Sequence, residues 1–261
     1  MLTLTDVSVT FNPGSVDEKK ALRNLSLHLD PGEFVTIIGS NGAGKATLVN
    51  AICGSFLTDT GKIVLDGRDI TFSAEHIRAK QIGRLFQDPM RGSAPHMTIE
   101  ENLALAAGRG GWFSHITKKD KQAFRERLAL LEMGLEDRMR QPVGSLSGGQ
   151  RQALTLLMAT VNPPKLLLLD EHTAALDPAT AEKVLQITRD VVAEHHITTL
   201  MITHNMQQAL ELGSRTLMMD NGKIVLDIGG EEHRNTTVEQ LLVRFKESVG
   251  NALDNDRILL S

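Results

Sequence analysis

The sequence predicts an α/β fold in which a mostly parallel core sheet carries an antiparallel β layer and an inserted helical subdomain. Three observations predict it. A Gly-rich turn, Gly39-Ser40-Asn41-Gly42-Ala43-Gly44-Lys45, separates a short apolar run from a helical pattern. Strand and helix patterns alternate after residue 162, as they do in parallel sheets covered on both faces. Between about residues 89 and 161 no strand pattern occurs, while helical spacing does.

The elements follow in order. Leu2, Leu4, Val7, Val9 and Phe11 alternate with one slip in phase, which reads as a strand with a bulge. Leu25, Leu27 and Leu29 alternate again until Asp30-Pro31-Gly32 breaks the run. Residues 34–38 form the apolar strand that feeds the Gly-rich turn, and a helix runs on to about Ile52. Ile63 and Leu65 before Asp66-Gly67 suggest a hairpin. Thr98 with Glu101 forms a capping box, so a helix begins there. Phe124, Leu128 and Leu131 mark a second helix over 118–133, with Trp112 in the connection before it. Residues 166–169 read as a buried strand, and Asp177-Pro178 opens a helix to about His195. A strand over 199–203 precedes a short helix capped by Asn205 and ended by Gly213. Asn221-Gly222 is a strong two-residue hairpin turn. Thr237 and Gln240 cap an amphipathic C-terminal helix bearing Leu241, Leu242 and Phe245. The expected division is a single domain over 1–261: a core with its antiparallel layer (1–88 and 162–227), a helical subdomain (89–161) and a C-terminal helical tail (228–261).

Composition narrows the function. With 261 residues the chain has room for one large domain or two small ones. Twenty-eight basic against 32 acidic side chains leave a net charge of −4, without the basic footprint of a duplex binder. Three per cent aromatics, no Tyr and one Trp offer little for stacking single-stranded bases, so nucleic acid is not an expected partner. No apolar run approaches the roughly 18 residues of a membrane span, and residues 1–10 alternate like a strand instead of forming a leader. Cys53 is the single cysteine, which permits no internal disulfide and suits a reducing compartment.

The Gly-rich turn has the context of a phosphate-binding loop. Glycines let successive N–H groups turn inward, the helix N-terminus adds positive potential, and Lys45 reaches the terminal phosphates. Ala46 departs from the pattern, because a Ser or Thr hydroxyl is expected there as a Mg²⁺ ligand. Thr47 points about 100° away around the helix, where it is placed to touch a phosphate instead of replacing the metal ligand. Water can fill the vacant coordination position, or the chain binds nucleotide and turns over slowly; both readings stand.

Two further motifs carry chemistry. Leu146-Ser147-Gly148-Gly149-Gln150 precedes a helical run and combines a hydroxyl, close backbone approach and a helix dipole; in isolation it equally describes a plain N-cap. Asp170-Glu171 ends the strand over 166–169, where one carboxylate can hold Mg²⁺ and the next can polarise an attacking water.

With these motifs in place, the chain from Leu2 to about Asp227 resembles the ATP-binding subunits of ATP-binding cassette (ABC) transporters, of the P-loop NTPase class. The motifs stand in the family's order: phosphate loop at 39–47, Gln87 in Leu85-Phe86-Gln87-Asp88-Pro89, signature at 146–150, Asp170-Glu171, Ala175-Leu176-Asp177, and His204 after Ile202-Thr203. The resemblance implies that Gly39, Ser40, Asn41, Gly42, Ala43, Gly44, Lys45, Ala46 and Thr47 surround the ATP phosphates. It implies that Asp170 and Gln87 serve Mg²⁺, that Glu171 is the general base, and that His204 contacts the γ-phosphate. Phe11 matches the adenine-stacking aromatic, although it fits the alternating strand as a core residue equally well.

One phosphate loop and one signature per chain imply a head-to-tail homodimer. Each ATP would lie between the loop of one copy and Ser147, Gly148, Gly149 and Gln150 of the other, with Asp177 at the interface or acting simply as a helix cap. The resemblance further implies ATP hydrolysis that powers transport through separate membrane permease subunits, docked near the Gln87 segment and the helical subdomain. Arg84, Met90, Arg91 and Met97 are candidates for that surface, although the two methionines fit equally well as ordinary apolar filling. The chain would be cytoplasmic and peripheral on the inner face of the membrane. The segment 86–102 and the Asp256-Arg257 tail resemble a bacterial importer subgroup working with a solute-binding lipoprotein, with a small polar solute such as an amino acid as cargo. An exporter subunit, a non-transport ABC ATPase and a regulatory nucleotide-binding subunit with slow turnover remain the competing readings.

Overall fold

The computed structural model describes residues 1–108 and 116–249. Trp112 and the Asp256-Arg257 pair lie outside the described residues. The chain divides into two compact units, Met1–Ile82 with Ile197 onward, and Gly83–His196.

The first unit opens with an antiparallel layer. Strands β1 (Leu2–Phe11), β2 (Lys19–Leu29), β4 (Thr60–Leu65) and β5 (Arg68–Asp69) lie in the order β2-β1-β4-β5. Leu2 pairs with Leu29, Leu4 with Leu27, Val7 with Leu25 and Val9 with Leu22, and the register shifts between Leu4 and Val7, where the hydrophobic pattern slips phase. Asp66 and Gly67 both take positive φ, at 51° and 76°, which closes the β4–β5 hairpin.

The second sheet is built on β3 (Phe34–Gly39), buried along its whole length. Strands β8 (Thr198–Ile202) and β9 (Arg215–Asp220) flank it in parallel, and β10 (Lys223–Gly229) returns antiparallel to β9. The turn joining them places Asn221 at φ 45° and Gly222 at φ 78°, the paired left-handed geometry that Asn-Gly favours. Helix α1 (Lys45–Cys53) follows β3 directly, and α2 (Glu75–Arg78) is a single turn. Helices α7 (Met206–Leu212), α8 (Gly230–Asn235) and α9 (Val238–Val249) complete the unit. Leu241 and Phe245 of α9 pack with Ile38, Met206, Met218 and Ile228, so the C-terminal helix covers sheet core.

In the second unit, β6 (Ile82–Leu85) lies beside β7 (Leu166–Asp170). Helices α3 (Ile99–Ala106), α4 (Lys118–Ala129), α5 (Gly148–Thr160) and α6 (Pro178–His195) surround a core of Ile99, Leu103, Phe124, Leu128, Leu154 and Val184, among others. Capping boxes at Thr98/Glu101 and Ser147/Gln150 start α3 and α5. Helix α4 ends at Ala129, short of the Met133 expected from spacing. Glu132 adopts φ 51° and Gly134 φ 68°, so the chain turns, and Leu131 and Leu135 enter the core from that turn instead of from a helix face.

One polar cluster ties α8 to the core sheet. His233 Nε2 lies 2.8 Å from Thr216 Oγ1, which is 2.8 Å from Thr36 Oγ1 of β3, and all three residues are buried. Burial pushes the His233 imidazole below its ordinary value. A histidine held neutral in the fold takes up a proton more readily when unfolded. Its contribution is therefore intact above about pH 6.5 and declines as pH falls below that. Urea denaturation at pH 7.5 and pH 5 should show a smaller acid loss of stability in His233→Gln than in the unsubstituted chain. Equal losses would rule out His233 as a source of the acid sensitivity.

Candidate nucleotide-binding site

In the first unit, β3 delivers the chain into the phosphate loop at Gly39, whose φ is 152°. A Cβ there would lie 2.2 Å from the Met219 carbonyl oxygen on β9, so only glycine fits. At the other end, Gly44 sits at φ 103°, and a Cβ would meet Ala21 O of β2 at 2.6 Å. Between them the loop is held by its own backbone and by the β9–β10 turn: Ala43 N–H donates to Ser40 O at 3.2 Å, and Gly222 N–H donates to Ala43 O at 2.9 Å.

Lys45, 7% exposed, donates through Nζ to Gly39 O at 2.6 Å and Ser40 O at 3.1 Å, which places the ammonium group inside the loop. Helix α1 has no side-chain N-cap and no acidic residue in its first turn. Its leading N–H groups and dipole are thus arranged for an anion, with no protein carboxylate in the first turn to repel one. Asn41 and Gly42 are exposed, Ser40 and Thr47 are half-buried, and Ala46 is exposed without an oxygen to offer. Ser40 Oγ donates to Asp220 Oδ1 at 3.3 Å.

Phe11 is 38% exposed, which removes it from the core role that the strand alternation also allowed. Its ring meets Phe56 edge-on at 5.5 Å between centroids and remains partly open to solvent. His204 follows β8 and is half-buried; Thr203 Oγ1 accepts from Asn205 N, and the Asn205 side chain accepts from Gln208 N, fixing the turn that carries it. Arg78 was not anticipated from the sequence. It is 2% exposed and donates to Ala51 O and Ile52 O at the C-terminal end of α1, and to Thr71 O and Ser73 O. A guanidinium on the carbonyl end of α1 anchors the helix whose other end forms the phosphate loop.

The second unit carries the acidic and signature groups. Leu166, Leu167, Leu168 and Leu169 are fully buried, and β7 emerges at Asp170. Arg84 Nη2 lies 3.7 Å from Asp170 Oδ2, and the Arg84 guanidinium stacks over Phe86 at 4.4 Å. Gln87 is exposed just beyond β6, and Asp88 turns the chain after it by accepting from Met90 N. Met90 and Arg91 are exposed there as well.

Glu171 occupies the left-handed region at φ 46°, a conformation that costs a non-glycine residue about 1–3 kcal/mol and persists only where its surroundings enforce it. The next residue, His172, is buried, and burial pushes its imidazole down to about 4. Asp177 caps α6 by accepting from Thr180 N at 3.1 Å, and these hydrogen bonds hold its carboxyl below the usual range.

Ser147 and Gly148 are exposed at the start of α5. Ser147 Oγ accepts from Gln150 N at 3.3 Å while Gln150 Oε1 accepts from Ser147 N at 3.2 Å. Gly149 is buried against α6, where a Cβ would fall 2.0 Å from Thr180 Cγ2.

Among the described residues no group of three or more His, Cys, Asp or Glu side chains converges as a metal cage. The donor set suits Mg²⁺ all the same, since that ion is commonly held by one or two carboxylates together with substrate phosphates and retained waters. Of the residues expected at the metal, Asp170 carries a carboxylate and Gln87 an amide oxygen, both of the kind that ion takes, and the Ala46 side chain carries no oxygen.

These features define a P-loop nucleotide-binding protein, and comparison with known proteins places it further. A sequence profile of the ABC transporter family matches residues 22–174, and the chain belongs to that family, in its ATP-binding class. It is 42% identical over 251 residues to the tyrosine transport ATP-binding protein of Clostridioides difficile (strain R20291), covering 95% of this chain and 100% of that protein. It is 31% identical to the methionine import ATP-binding protein MetN of Streptococcus agalactiae serotype III (strain NEM316), covering 97% and 72%. The fold matches that of the ATP-binding cassette MJ0796, solved as a dimer in a post-hydrolysis state with ADP and Pi, with a TM-score of 0.77 at 28% identity over 90% of this chain and 100% of that one. The expected α/β fold of the ABC ATPase type is therefore the observed one.

The clamp on Gly44 yields a direct test. Gly44→Ala combines an unfavourable φ with backbone overlap, and should weaken ATP binding at least tenfold and cost about 1–3 kcal/mol of stability. Equilibrium nucleotide titration and urea denaturation measure the two effects. Unaltered affinity would show that the loop does not need this backbone conformation.

Proposed function

We propose that this chain is the ATP-hydrolysing subunit of a bacterial importer for an amino acid or a similar small polar solute, acting through separate membrane permease subunits. The observation that carries the reading is a phosphate loop, signature and acidic strand end in a chain aligned along nearly its whole length with a tyrosine transport ATP-binding protein. Relatives described as serving methionine and choline transport support a small polar or zwitterionic cargo. Among the described residues no helix is long and apolar enough to cross a membrane, in keeping with a peripheral subunit on the inner face. A solute-binding lipoprotein would deliver the cargo to the permease.

In this reading the loop amides and Lys45 hold the β- and γ-phosphates, and Phe11 stacks on adenine. Glu171 orients and deprotonates the attacking water, Gln87 contacts that water, and His204 contacts the γ-phosphate. Ser147, Gly148, Gly149 and Gln150 of a second copy close the site head to tail, with Asp177 near that interface. Asp170 and Gln87 would hold Mg²⁺, which supplies charge neutralisation on the phosphates. The division into a core with its β layer, a helical subdomain over 89–161 and a C-terminal tail follows the same reading.

Ala46 favours one specific refinement, that nucleotide binds normally while Mg²⁺ affinity and turnover are reduced. Restoring a hydroxyl with Ala46→Ser should lower the Mg²⁺ concentration needed for half-maximal ATP hydrolysis and raise the rate. Identical Mg²⁺ titrations for the two proteins would remove the refinement.

The general base has its own test. Glu171→Gln should slow hydrolysis by roughly 100-fold or more and accumulate an ATP-bound dimer, read by light scattering with the permease present. An ATP-loaded protein that stays monomeric would overturn the sandwich, and retained hydrolysis would overturn the role of Glu171.

A further inference from the structure

His172 follows Glu171 directly and is 2% exposed. Its Nε2 lies 3.3 Å from Thr188 Oγ1, in the third turn of α6. Thr188 is fully buried and donates its one hydroxyl hydrogen to Val184 O at 2.8 Å. Thr188 Oγ1 can therefore only accept from the ring, so the proton of His172 resides on Nε2 and Nδ1 is the bare lone pair. Nδ1 is buried and has no hydrogen-bond partner in the structure.

A buried polar ring with one nitrogen left unpaired is an expensive way to fill space, and an aliphatic residue would fill it without that cost. What the ring provides is a directed tie between the residue after Glu171 and α6. The turn it secures is the one in which Glu171 sits at positive φ, with Ala174 N–H donating back to Glu171 O at 3.0 Å.

We propose that His172 is a positioning residue for Glu171: its Nε2–H bond to Thr188 fixes the left-handed turn to α6 and so sets the direction of the Glu171 carboxylate. The proposal rests on Glu171 acting as the general base.

The experiment uses the full chain with Mg²⁺ and ATP. His172→Leu and Thr188→Val each remove the tie, and each should lower kcat about tenfold with KM and nucleotide affinity nearly unchanged, since a small misplacement of a reacting group acts on the chemical step. Thr188→Ser retains the acceptor, and His172→Gln retains a donor at comparable reach, so both should restore most of the rate. His172→Asn, one methylene shorter, should not. The double variant His172→Leu/Thr188→Val should be no slower than either single one, because both remove the same bond.

Full kcat in Thr188→Val, or equal rates in the Leu and Gln variants at position 172, would overturn the proposal. So would a parallel loss of nucleotide affinity and kcat, which marks general damage to the fold. Should His172→Leu fail to fold, the Thr188→Val and Thr188→Ser pair decides the matter. Glu171→Gln, assayed alongside, separates the two ideas: hydrolysis retained there removes the general-base reading itself, whereas hydrolysis lost there but kept in Thr188→Val removes only the role of His172.

Discussion

The backbone of the phosphate loop is clamped at both ends by carbonyl oxygens of neighbouring strands, and the rest of the first unit is arranged to make that possible. Met219 O occupies the space beside Gly39, and Ala21 O the space beside Gly44. One oxygen belongs to the parallel sheet and the other to the antiparallel layer. The Asn221-Gly222 turn adds a hydrogen bond to Ala43. Two separate segments, the β9–β10 hairpin and β2, thus converge on seven residues. With the backbone so constrained, Lys45 and the leading amides of α1 are held in place before any phosphate arrives, which lowers the ordering cost of binding.

The same unit buries a full positive charge without placing a carboxylate among the groups bonded to it. Four backbone carbonyls receive the Arg78 guanidinium, two of them at the end of α1, where the helix dipole is negative. The tie makes the helix a strut fixed at both ends. In the second unit Arg84 shares its charge between Asp170 and the Phe86 face. A cation there keeps positive potential beside the carboxylate expected to serve Mg²⁺, and joins β6, the strand leading to Gln87, to the end of β7.

Much of this was legible because the signals were local. Asn221-Gly222, Asp66-Gly67, the Thr98/Glu101 box and Asp177-Pro178 each determine their own backbone within four residues, and each formed as read; Ser147, read as an N-cap, forms a full capping box with Gln150. Strand β6 escaped notice because its four residues contain Gly83, which offers no strand propensity. Glycine is needed there for spatial reasons, since Ala159 O and Pro164 Cγ lie 3.0 Å from where a Cβ would be. The overshoot of α4 has a similar origin: Leu131 keeps helical phase in the sequence while the chain already turns. Arg78 and His172 carried no signal at all, for a buried arginine and a surface one look alike until the carbonyls around them are known.

The signature segment shows why two readings of one motif need not compete. As an N-cap, Ser147 uses its hydroxyl oxygen to accept from Gln150 N, and Gln150 returns a bond to Ser147 N. That arrangement consumes a lone pair and leaves the hydroxyl hydrogen to be directed outward. Ser147 and Gly148 are exposed, so an incoming phosphate oxygen could take that hydrogen and approach the backbone of a residue with no side chain. Gly149 is needed for a different reason, the contact with Thr180 that brings α5 against α6. Adjacent glycines therefore answer to different demands, one facing solvent and one facing the core. The cap supplies a pre-formed helix end, and a pre-formed helix end with an unspent hydroxyl proton is chemically suited to receive an anion.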